Sequence, residues 1–186
     1  MKEKGIYNKY KGFVRAEIQT YCREHHIKEN EFHFININKW ESVYYQVMEN
    51  FLEESEKNKR RCWWKLHWSN TNGGLLPAEV CFDSRGCYEW ILKLPELIKE
   101  KDKMVYLLLD EEGISAGREK FWIAEGTPQV IAELIYEEVH WDCDYYIVDK
   151  KYNWLITCNH HDIIQFVGKG LEIKKIEDMI MQRKGQ

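Results

Sequence analysis

A thiol, two imidazoles and a carboxylate crowd into Cys158-Asn159-His160-His161-Asp162, between two apolar runs. Those groups form the donor set of a zinc site. In a continued strand Cys158, His160 and Asp162 would share one face, and His161 would point away. The same residues also make good turn chemistry, because Asn and Asp side chains cap their own backbone. The chain has no CxxC pair, and one Cys/His cluster without matched spacing elsewhere is unspecific. The turn is favoured. Trp154, Asn159, His160, His161 and Asp162 are therefore expected to be architecture, with no metal, no cofactor and no catalytic residue. A hydrolase or metal-dependent enzyme centred on Cys158, His160, His161 and Asp162 is the competing reading.

A second motif, Gly113-Ile114-Ser115-Ala116-Gly117, matches the GxSxG of a nucleophile elbow. That elbow requires a strand running straight into the serine and a helix leaving it. Here Ser115 lies several residues beyond the strand-like MVYLLL, and the strand-like KFWIA follows. A glycine-rich hairpin loop accounts for it better.

The third constellation is electrostatic. From Glu133 to Asp149 the chain holds Glu133, Glu137, Glu138, Asp142, Asp144 and Asp149, and no Lys or Arg. Tyr136, Trp141, Tyr145 and Tyr146 are interleaved with them. Carboxylates beside rigid rings can steer toward a basic protein and then anchor in it. Glu137, Glu138, Trp141, Asp142, Asp144 and Tyr145 are the expected partner-binding residues, the four carboxylates facing solvent and the two rings acting as anchors. The competing account is a solvated helix face followed by a polar loop.

Periodicity supplies the elements that position these groups. Tyr10, Phe13, Val14, Ile18, Tyr21 and Cys22 recur at helical spacing, giving a helix over about 8–24. Phe32 to Ile37 alternates like a short strand. Asn38, three residues before Glu41, is placed to cap a second helix with the stripe Val43, Tyr44, Val47, Met48, Phe51 and Leu52. Cys62 to Trp68 and Glu79 to Phe82 read as strands, and Gly86 to Leu92 as a short helix, with Pro95 breaking it or opening another turn. MVYLLL pairs with KFWIAEG. Thr127-Pro128 opens a helix, a hydroxyl cap followed by proline at the first helical position. Tyr145–Val148, Trp154–Thr157 and Ile163–Val167 are strands, and an amphipathic helix follows Gly170.

The 186 residues suit one domain of ordinary globular composition, 44% hydrophobic and 31% charged. Helices first, hairpins in the middle and a helix last predict a single α+β domain with a mostly antiparallel sheet flanked by helices. A net charge of −4 without a basic face argues against nucleic-acid binding. No apolar run suits a signal peptide or membrane span, and six cysteines without an export signal read as reduced thiols. A cytoplasmic protein is expected.

The closing third of the chain, Trp154-Leu155 followed by Asn159-His160-His161-Asp162, resembles an uncharacterised bacterial family. Members of that family end in a WL…NHHD signature and include genes beside polymorphic toxins. The resemblance implies a setting rather than a chemistry. Together the residues and the resemblance predict a binding protein, an immunity protein that occludes the active surface of a cognate basic toxin. A ligand- or peptide-binding module without a toxin partner is the third reading.

Overall fold

The structure is a computed structural model and describes residues 13–52, 80–81, 89–101, 103–111, 121–138, 143–159, 163–172, 174–176 and 178. It is an α+β domain built on an antiparallel sheet. In chain order the elements are α1 (Phe13–Glu24), β1 (Phe32–Phe34), α2 (Ile37–Phe51) and β2 (Val80–Cys81). A 3-10 turn (Glu89–Lys93), α3 (Leu94–Leu97), β3 (Val105–Glu111), β4 (Phe121–Gly126) and α4 (Pro128–Glu138) follow. The chain then runs through β5 (Cys143–Asp149), β6 (Trp154–Cys158) and β7 (Ile163–Gly168). Residues 174–176 are helical.

Among the described residues seven strands lie in the order β1-β4-β3-β5-β6-β7-β2, every neighbouring pair antiparallel. β5 sits in the middle, between β3 and β6. Successive side chains on a strand point to opposite faces, and each face is covered. On one, Leu107, Leu109, Tyr145, Ile147, Ile156 and Phe166 meet Ile18 of α1, Leu94 of α3, and Ile131, Leu134 and Ile135 of α4. On the other, Leu108, Ile123, Tyr146, Val148, Leu155 and Val167 meet Val43, Val47 and Phe51 of α2. Two layers of helix therefore enclose the sheet.

Local chemistry explains most element boundaries. The Thr127 hydroxyl accepts from the Val130 N–H at 3.4 Å, and Pro128 opens α4 as expected. One boundary differs from the sequence reading. The cap of α2 is Asn36, whose side chain accepts from the Asn38 N–H at 2.9 Å. The helix therefore begins at Ile37 rather than after Asn38. Of the two expectations for Pro95, the structure has the second: it opens a new turn at the start of α3, where its missing N–H costs nothing. The expected strand over Cys62–Trp68 lies outside the described residues. Among the described residues no helix is long and apolar enough to cross a membrane.

Candidate functional site

The expected partner-binding surface divides when folded. α4 turns Ile131, Leu134 and Ile135 inward, which leaves Gln129, Tyr136 and Glu137 exposed. Gln129 Nε2 donates to Glu133 Oε1 at 2.6 Å along that outer face. This part of the surface reaches solvent as expected. Asp144 and Tyr145 do not. Asp144 is 2% exposed and Tyr145 3% exposed. Both belong to β5, the middle strand, where consecutive side chains enter opposite helix-covered faces. Tyr145 lies in the α4-side core, and Asp144 stands opposite Asp110 in the β3 register. Reading the acidic run as one exposed surface ignored this alternation. The side chain of Glu138 and residues Trp141 and Asp142 lie outside the described residues.

The hairpin between β5 and β6 is built around Asp149. Its buried carboxylate accepts from the backbone N–H of Asn153, from Trp154 N at 3.0 Å and from Lys151 N at 3.3 Å. Asn153 Nδ2 adds a bond at 2.9 Å. These bonds hold Tyr152 at φ 56, in the left-handed region. They also deliver Trp154 into the core, where it is 4% exposed. β7 closes on the same turn through glycine. Gly168 has φ 101, and a Cβ there would strike the carbonyl oxygen of Asn153. The Lys169 N–H then donates to that oxygen at 2.8 Å. The Trp-Leu half of the signature is thus core.

The other half is only partly described. Cys158 is buried at the end of β6 and Asn159 is half-buried. His160, His161, Asp162 and Ser115 lie outside the described residues. Among the described residues no three His, Cys, Asp or Glu side chains converge on a metal position. Burial pushes the Cys22 thiol up, opposed by its backbone hydrogen bond, so near neutral pH it is not a thiolate.

The tertiary structure adds two groupings that sequence reasoning missed. On the α2-covered face, Tyr152 stacks on Tyr106, with ring centres 6.1 Å apart at 27°. Lys150 bonds Glu125 at 2.6 Å and lies 5.6 Å from the Tyr106 ring centre. Burial raises both phenol pKa values. The nearby Glu125 carboxylate adds to the rise for Tyr106, and Tyr106 itself adds to it for Tyr152. The hydroxyls therefore stay protonated and serve as neutral hydrogen-bonding groups. At the β1 edge, Arg15 stacks over Phe34 at 5.0 Å and over Trp122 at 4.8 Å, pinning α1 to the sheet. Neither grouping has a signal in the sequence, since each joins residues from separate elements.

Fold and surface together define an α+β protein whose sheet is buried on both faces. The polar turn around Asp149 serves architecture, and the outward faces of α2 and α4 carry carboxylates and aromatic rings. The chain belongs to a family described as "Family of unknown function (DUF6756)", whose profile matches residues 10–179. No curated protein and no solved structure matches the chain.

Proposed function

We propose that this protein is a binding protein for a basic protein partner, acting in the cytoplasm as an immunity protein that occludes the active surface of a cognate toxin. One observation carries the reading. One helix on each face of the sheet, α4 on one and α2 on the other, turns carboxylates and tyrosines outward with very little positive charge. α4 presents Tyr136 and Glu137, and its sequence contains no Lys or Arg. α2 presents Glu41, Tyr45 and Glu49, and Lys39 is its only cation. Such a surface favours approach of a positive protein through long-range attraction, and its rings supply apolar anchoring. The resemblance to a family with some members encoded beside toxin genes supplies the choice of partner.

The experiment is co-expression with the product of the adjacent gene, scored for growth, followed by binding of the two purified proteins. Protection should accompany a stable complex. Its association should slow as salt rises, because attraction between exposed charges is screened beyond about 8–10 Å at physiological ionic strength. A neighbouring product that neither binds nor is neutralised overturns the reading.

A further inference from the structure

Arg15 is held by two rings and by no acceptor. Its guanidinium carbon lies 4.8 Å from the centre of the Trp122 ring and 5.0 Å from that of Phe34. Those rings meet edge to face at 78°, so the cation sits in a corner between them. The arginine is half-buried, and among the described residues it has no carboxylate partner and makes no hydrogen bond. Cations drawn out of water are ordinarily paired. Here the ring faces hold the charge, and the N–H donors along the edge of the guanidinium serve nothing in the fold.

A second donor belongs to the same corner. Trp122 Nε1 is buried and donates to no protein acceptor. Leaving a buried donor unmade costs more than making its bond contributes, so such a group calls for an explanation. The acidic residues next along these elements are turned elsewhere. Glu17 lies two residues from Arg15, a spacing that points to another side of α1. Glu125 lies three residues from Trp122 on β4 and so enters the opposite, α2-covered face. A cation and a neutral donor thus stand together without the oxygen that both require.

We infer that Arg15 and Trp122 form a binding site for an oxyanion, the carboxylate or phosphate group of a small ligand. The guanidinium edge donates to two oxygens side by side, which matches both groups. The indole nitrogen belongs to the ring whose centre is 4.8 Å from the guanidinium carbon. One oxyanion, with a hydrogen bond of about 2.9 Å on each side, spans such a separation. The rings fix the arginine beforehand, so little side-chain freedom is lost on binding. Partial burial makes the attraction stronger than it would be in open water. The site joins α1, β1 and β4, and it does not depend on the protein partner proposed above.

The test is a nuclear magnetic resonance titration of the isotope-labelled full chain with inorganic phosphate and, separately, with acetate. Sodium chloride at matched ionic strength is the control. Trp122→Phe identifies the Trp122 indole N–H signal by its loss. That signal should move saturably with phosphate, acetate or both, and chloride should leave it in place. The anion that saturates at lower concentration tells which group the site takes. Arg15→Gln should abolish the saturable shift. Arg15→Lys, which keeps the charge and the ring contact but not the fork, should weaken it at least threefold. Circular dichroism checks that each variant is folded. A signal that moves with neither anion, or equally with chloride, overturns the inference. So does an unchanged titration in Arg15→Lys, or in folded Arg15→Gln, which would leave Arg15 only its structural role.

Discussion

Asp149 holds Trp154 across the β5–β6 turn: the carboxylate Oδ1 accepts the Trp154 N–H at 3.0 Å, five residues along the chain. The same carboxylate accepts from the backbone of Lys151 and Asn153. One buried acid therefore sets where β6 begins and which face its tryptophan enters. Asp149→Ala would leave several turn N–H groups without their acceptor and should cost at least about 2 kcal/mol. Urea unfolding followed by tryptophan fluorescence measures it, and an unchanged midpoint would show that the turn forms without the carboxylate.

Gly168 closes the opposite side of that turn. Its φ of 101 and the carbonyl oxygen of Asn153 leave no room for a Cβ. Gly168→Ala combines left-handed strain of about 1–2 kcal/mol with a clash against backbone, which gives way less easily than a side chain. The variant should be clearly less stable than one altered at exposed Lys169. Equal midpoints for the two would mean that β7 can shift without loss.

Burial separates two carboxylates that composition treats alike. Glu137 is exposed on α4, so Glu137→Lys should change stability by no more than about 0.5 kcal/mol. Asp144 is enclosed in the middle strand, so Asp144→Lys would put a cation where no solvent reaches it. The expected loss is about 3 kcal/mol or more. Comparable melting temperatures for the two variants would contradict the placement of β5.

The Tyr106–Tyr152 stack predicts an alkaline limit to stability. Both phenols have folded pKa values above the ordinary 10.0, Tyr152 the more so, chiefly because burial disfavours the phenolate. Below pH 10 both phenols are neutral in either state, and the full contribution is present. As pH rises above 10 the unfolded chain ionises first, so stability declines through the folded values. Thermal melts between pH 8 and about 11.5 should fall less steeply for Tyr152→Phe than for the unaltered chain. Parallel curves would remove this pair as the cause.

Short-range patterns carried much of the fold. Alternation placed β5, β6 and β7, helical spacing placed α1, α2 and α4, and Thr127-Pro128 marked the start of α4. Each of these signals is complete within a few residues, because the periods of strand and helix are local properties of the backbone. Trp154 was legible as core for the same reason: it begins an apolar run just after a turn.

The candidate surface was less legible, and the reason is physical. Charge says that a side chain prefers water, but exposure depends on what a strand's neighbours cover. Asp144 and Tyr145 stand in the acidic run, yet β5 has β3 on one side, β6 on the other, and helices over both faces. The reverse holds for Tyr45, an aromatic ring that lies on the face of α2 turned away from the buried Val43, Val47 and Phe51 and is left outside. The sequence alone determined the α+β class, most of the elements and the acidic, aromatic character of the chain. Tertiary structure decided strand order, the joining of Arg15 with Trp122 and of Tyr106 with Tyr152, and which of the carboxylates and rings face solvent. Those outcomes depend on packing between residues far apart in the chain, which no local period encodes.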